Sequence, residues 1–269
     1  MMRITETVKQ LIIINVIFFI GSYLVGPMAG KYLALHSVQS DDFQFWQLVT
    51  HMFMHGNLMH ILFNMFALFS FGGLLENMWG PKKFIFFYIS CGIGAAALHL
   101  GITYLEMQNV LHQLSHLNIP VDTLHKLINI PVIENGRIFT DTFNEQAPVL
   151  LNTYGKAVSQ SDVQVLFDAA VENQIPMVGA SGAIYGILVA FAFTVPNAEL
   201  MLLFLPIPIK AKYFVPGILA MDLFLGLKGQ AIFGGGDGIA HFAHLGGAFI
   251  GFIMMWVWSK NQFNNNRWN

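Results

Sequence analysis

Apolar residues gather along the chain into six runs: Leu11–Gly26, Leu58–Leu75, Phe84–Leu105, Met177–Val195, Tyr213–Leu227 and Ile239–Trp258. A helix that crosses a hydrocarbon core of about 30 Å needs roughly 20 residues. The runs therefore predict an all-α polytopic membrane protein of six helices, the shorter ones completed by their flanks. The first run follows Arg3 and Lys9, as a signal peptide would. No small-residue cleavage site of the usual kind comes after it and five more runs do, so it reads as a retained helix. Leu200–Ile209 is too short to cross and is broken by Pro206 and Pro208, which suits an interfacial segment leading into the fifth span.

Two long polar segments separate the runs. Pro27–Asn57 contains Trp46 and several Phe, a composition suited to the membrane interface. The segment 106–176 holds most of the acids, and Val110–His116 and Val163–Val171 show helical apolar spacing, so two to four short helices are expected there. It is too small and weakly apolar to stand as an independent domain. Gly234-Gly235-Gly236, before the last span, marks a mobile loop over 228–238.

The polar positions inside the runs carry more information than the runs do, because polar groups in a bilayer are costly and mark function by default. His60 and Asn64 are four apart in the second run, Ser181 and Tyr185 four apart in the fourth, and His241 and His244 three apart in the sixth. Each pair shares a helix face. Runs two, four and six cross in the same direction, and all these residues except Tyr185 fall early in their runs. Five polar side chains are thus brought to one depth. For Ser181 alone, the plain alternative is a hydrogen bond back to a carbonyl one turn earlier.

Composition agrees with the pattern: 55% of residues are hydrophobic and 10% charged, and the mean hydropathy is +0.58. A net charge of −2 gives no electrostatic footprint for nucleic acid. Cys91 is alone and can form no internal disulfide. With the N-terminus in the cytoplasm, the cytoplasmic pieces hold Arg3, Lys9, Lys82, Lys83, Lys210, Lys212, Lys260 and Arg267, crowded at helix ends. The outer pieces hold Lys31, Lys126, Arg137, Lys156 and Lys228, widely spread. That asymmetry predicts both termini inside and the shared depth toward the outside. The compact chain suggests a bacterial inner membrane.

The chemistry that suits a serine, histidines and an amide at one depth is acyl transfer. A serine hydroxyl needs a base within hydrogen-bond reach, histidine is the usual one, and imidazole, amide and backbone N–H groups can hold an oxyanion. Helix geometry leaves His241 and His244 equally placed as base. A third, acidic member is not evident. Glu76 lies at the far end of its span, about 18 Å from Asn64. Asp222 can reach a suitable depth, but an acid pairing with a neighbouring helix is the commoner case. A Ser–His dyad is favoured, with ring packing from Tyr185 to orient the histidine.

These residues resemble a known family. Gly179-Ala180-Ser181-Gly182 looks like the G-x-S-G signature of rhomboid intramembrane serine proteases, Ala243-His244-Leu245-Gly246-Gly247 resembles their A-H-x-G-G, and His60-Ile61-Leu62-Phe63-Asn64 resembles their H-x-x-x-N. The motifs occur in the family's order, on runs two, four and six. The resemblance implies that Ser181 is the nucleophile and His244 the general base. It also implies that His60 and Asn64 line the oxyanion site, and that Tyr185 packs on the imidazole. Gly247 and Gly251 would let the sixth span approach the fourth. His51 and His55 are expected to hydrogen-bond within the first loop.

The implied protein is a membrane domain over 1–269 with an outer insert at 106–176. It would cleave peptide bonds in or near transmembrane segments of single-pass or other membrane-protein substrates. Span five would gate lateral entry and 228–238 would cap the site. No cofactor is implied. H-E-x-x-H is absent, and the spacing of His51/His55/His60 and of His112/His116 is too weak a pattern to imply a metal. The sequence departs from the family in two ways. Trp46-Gln47 stands where many rhomboids have Trp-Arg, putting the anchoring of the first loop in doubt, and the insert replaces a short loop. The alternatives are an inactive rhomboid-like binder of membrane helices, or a small transporter. The transporter would spread its polar residues through the full depth.

Overall fold

The structure is a computed structural model that describes residues 4–134, 137–152, 158–202, 205–228 and 239–265. The first helix, α1 (Glu6–Val25), stops at Gly26, whose φ of 74° leads into a short helix, α2 (Pro27–Leu33). A loop with α3 (Gln47–Thr50) and a 3₁₀ turn over His51–Phe53 leads to the second long helix. That helix runs from Leu58 to Trp79 as α4 (Leu58–Ala67) and α5 (Gly73–Trp79), joined by a π-helical turn at Leu68–Gly72. Asn57 caps it by accepting the His60 N–H. Trp79-Gly80-Pro81 forms a turn, with Gly80 at φ 79° and Pro81 in the first position of α6 (Pro81–Gln113).

After α6 come α7 (Val121–Ile128), a two-residue hairpin of β1 (Ile133–Glu134) and β2 (Arg137–Ile138), α8 (Asp141–Asn152) and α9 (Gln160–Gln174). Then follow α10 (Ser181–Thr194), a second hairpin of β3 (Glu199–Leu202) and β4 (Leu205–Lys210), α11 (Ala211–Leu227) and α12 (Ile239–Asn265). Among the described residues the molecule is all-α apart from these two hairpins. The helices α6, α10 and α12 form its packed centre, with α11 against α12 and α1 against α4–α6.

Among the described residues, four helices are long and apolar enough to cross a membrane: Glu6–Val25, Leu58–Trp79, Pro81–Gln113 and His241–Lys260. At 14 and 17 residues, α10 and α11 are shorter than a full crossing. Met177–Ala180, assigned from sequence to the fourth span, is non-helical, and Met177 instead bridges Leu35 of the first loop. The third helix runs eight residues beyond Leu105 to Gln113, because an apolar run marks burial in lipid and not the end of a helix. Leu200–Ile209 lies in the β3–β4 hairpin. Its prolines fit because the pairs are made elsewhere, at Glu199 with Lys210, Leu200 with Ile209 and Leu202 with Leu205.

The segment after α6 departs most from expectation. It has its own core, in which Leu117, Leu127, Ile128, Ile130, Val132, Phe143, Ala147, Leu166 and Ala170 are buried. Met107 and Leu114, at the end of α6, belong to the same cluster. Its helices are the predicted short ones, and what makes them a unit is their packing on the projecting end of α6. At the opposite end, Trp79 and Trp258 meet edge to face, Phe87 tilts against both and Lys83 lies over Trp258, an aromatic cluster suited to a membrane interface. Glu76 closes this end, accepting the N–H groups of Thr7 and Val8 at 2.8 and 2.9 Å in the first turn of α1.

Candidate functional site

Ser181 is the first residue of α10, so no helical turn precedes it to accept a back-bond. Its hydroxyl instead meets His244 of α12, with Oγ and Nε2 2.9 Å apart. The Tyr185 ring, one turn along α10, lies parallel to the imidazole at 4.3 Å and 11°. The helices come this close because glycines line the contact. A Cβ on Gly247 would stand 1.9 Å from the Gly182 carbonyl oxygen, and one on Gly251 would stand 2.8 Å from Gly186 Cα. The backbone just before Ser181 is pinned by the Gly179 N–H, which donates to the His51 carbonyl at 2.9 Å. Gly179 has φ 123°, and a Cβ there would lie 2.7 Å from His60 Nε2 and 3.6 Å from Ser181 Oγ. A bare glycine is therefore what lets His60 close on the serine.

Asn64, one turn along α4 from His60, is buried, and its Nδ2 makes no hydrogen bond. The N–H groups in the first turn of α10 have no acceptor within the helix. The start of a helix therefore lies at Ser181, where negative charge is stabilised. His51 keeps its expected loop contact, Nδ1 to the Gln47 carbonyl at 2.7 Å. His55 lies against the Phe53 backbone of the same loop and packs edge-on to His60 at 5.0 Å. Burial pushes both His51 and His55 down to about 4, so they are neutral near pH 7.

Gln47 resolves the doubt over the first loop. It is fully buried. Its Nε2 donates to the Lys31 and Asp42 carbonyls, and its Oε1 accepts from the His36 and Gln44 N–H groups. That uses all four hydrogen-bonding positions of the amide. The insert adds a second hold: Asn129 Oδ1 accepts the Asp41 N–H, and Asn129 Nδ2 donates to the Gln39 carbonyl.

Asp222 of α11 is the residue that sequence reasoning underweighted. It is 1% exposed and bonds His241 Nδ1 through Oδ1, while its Oδ2 lies 3.5 Å from His244 Nδ1. The available signal was a lone carboxylate in an apolar run, together with a histidine one turn before His244. Among the described residues, Asp222, His241 and His244 are also the one set able to hold a metal, with ligand atoms within 4.8 Å of one another. The Asp222–His241 bond already engages two of those ligands. A metal on His244 Nδ1 would leave the imidazole proton on Nε2, facing Ser181, and so remove the base. The glycine-rich loop expected to cap the site lies outside the described residues.

The fold and site together define a helical integral membrane protein with a serine and a histidine paired at a glycine-lined helix contact. The model of the rhomboid domain matches residues 42–113 and 110–261, and the chain belongs to the rhomboid family. An uncharacterized mitochondrial rhomboid protein of Schizosaccharomyces pombe is 26% identical over 232 residues, covering 81% of this chain and 53% of that protein. Rhomboid-like protein 15 of Arabidopsis thaliana is 36% identical over 75 residues, 28% of this chain and 19% of its own length. Rhomboid protease GlpG of Haemophilus influenzae is 33% identical over 51 residues, 19% of this chain and 27% of its own length. The matches thus span from a fifth to about half of these relatives.

Proposed function

We propose that the protein is an intramembrane serine endopeptidase that cuts peptide bonds in or near transmembrane segments of other membrane proteins. The observation that carries this is the 2.9 Å contact between Ser181 Oγ and His244 Nε2 beneath a stacked Tyr185. In the reaction, Ser181 Oγ attacks the scissile carbonyl carbon and its proton passes to His244 Nε2. The carbonyl electron pair moves to oxygen, where His60, Asn64 and the N–H groups at the start of α10 receive it. Collapse expels the amine, which takes the proton from His244 and leaves an ester on Ser181. Water then attacks this ester, giving its proton to His244, and the serine oxygen leaves with that proton.

Hydrolysis needs water, which hydrocarbon excludes, so the site opens to the outer aqueous face. We place the N- and C-termini in the cytoplasm and the insert outside, in a bacterial inner membrane. In this arrangement α10 and α11 complete the six crossings, and α11, which carries Pro216 and Gly217 within its helix, is the side through which a substrate helix enters. The test uses purified protein in detergent with a transmembrane model substrate, comparing wild type with Ser181→Ala and His244→Ala. The expected result is cleavage by wild type alone, with fluorophosphonate labelling lost in Ser181→Ala. Equal cleavage by wild type and Ser181→Ala would sink the mechanism. An absence of cleavage and of labelling in wild type would point to a binder of membrane helices or a transporter.

A further inference from the structure

We propose that Asp222 is the positioning carboxylate of His244, so that the site is a Ser181–His244–Asp222 line with His241 holding the far carboxylate oxygen. The proposal rests on the protease reading above. To accept the Ser181 proton, His244 must present a bare Nε2, and its own proton then sits on Nδ1. That nitrogen points into a buried space in which neither it nor Asp222 Oδ2 has a hydrogen-bond partner, although the two atoms are only 3.5 Å apart. A donor and an acceptor left unpaired face to face in an apolar interior are costly apart and complementary together. Such contacts are commonly long in the free enzyme and close when charge develops. An approach of about 0.6 Å makes a full hydrogen bond.

His241 fixes the carboxylate in place. Its Nδ1 bonds Oδ1, which turns Oδ2 toward His244. The Tyr185 hydroxyl also lies within reach of the carboxylate. The side chains facing the His244 ring are Ser181 and Tyr185 from α10, His60 from α4, Asp222 from α11, and His241 on its own helix. Among the described residues, Asp222 is the only carboxylate of these. As Ser181 surrenders its proton, the imidazolium that forms gains a counter-charge in a region of low dielectric. The same carboxylate selects the Nδ1–H tautomer in advance. Ring stacking by Tyr185 fixes the plane of the imidazole but cannot choose its tautomer.

The experiment measures kcat, KM and the pH–rate profile for wild type, Asp222→Asn, Asp222→Glu, Ser181→Ala and His244→Ala on one transmembrane substrate, with a thermal melt of each. Asp222→Asn is expected to lose about 100-fold in kcat with KM within twofold, since a positioned carboxylate acts after binding. The acid limb of its profile should move to lower pH, because the imidazolium has lost its counter-charge. Asp222→Glu should recover part of the rate. A purely structural acid would lower the melting temperature and leave the pH midpoint in place, and that outcome overturns the proposal, as does wild-type kcat in Asp222→Asn. If Ser181→Ala or His244→Ala still cleaves, the protease reading fails first. Should Asp222→Asn not fold, nitrogen-15 histidine NMR of the Ser181→Ala protein decides. Neutral His244 protonated on Nδ1 supports the proposal and protonation on Nε2 overturns it.

Discussion

Single side chains settle what can be done at this site. Gly179 combines a positive φ with a Cβ position 2.7 Å from the His60 ring. Gly179→Ala should therefore strain the backbone and push His60 off Ser181. Cleavage should fall at least tenfold while the fold, followed by circular dichroism, survives. Gln47→Ala should cost about 2 kcal/mol, because it leaves the buried N–H of His36 without an acceptor. Chemical denaturation measures it. Helical spacing and crossing direction put Ser181, His60, Asn64, His241 and His244 at one depth without any knowledge of packing, and the motif resemblance then chose His244 over His241. Asp222 was not legible in this way, since its partners sit 19 and 22 positions away on another helix, and only the approach of α11 to α12 joins them. Gln47 was read as a lost arginine, yet one amide meets four backbone groups. A motif letter records a residue type and not the bonds a neutral substitute can make.

At the scale of elements, the first loop is an acid-sensitive piece. The buried imidazoles of His51 and His55 titrate at about 4 when folded and near 6.5 when unfolded. The unfolded chain therefore binds more protons between those values. Loop stability should be full above about pH 6.5, fall as the pH drops toward 4, and level off below. Limited proteolysis within 27–57 as a function of pH checks this. Glu76→Ala should loosen the start of α1 by about 2 kcal/mol, as two carboxylate-accepted N–H groups lose their partner, and hydrogen exchange at Thr7 and Val8 reads it out. Element ends were the least legible feature of the sequence. The apolar run ends at Leu105, while α6 continues to Gln113 because the insert core takes over as its packing partner.

For the whole molecule, the serine reading makes activity independent of divalent metal, so excess chelator should leave the cleavage rate of the purified protein unchanged. The larger consequence concerns α6. Thirty-three residues make a rod of about 50 Å, against a hydrocarbon core of about 30 Å. The same rod packs on α10 and α12 within the bundle and is buried, at Met107 and Leu114, in the insert core. A helix propagates order along its length, so the two cores cannot melt as strangers. Loss of the insert frays α6 from its free end toward the seam where Gly94 and Ala95 meet the glycines of α12 and α10. Heating should give one cooperative transition by calorimetry. A Leu127→Ala cavity, far from Ser181, should lower that single melting temperature and not split off a separate, earlier one.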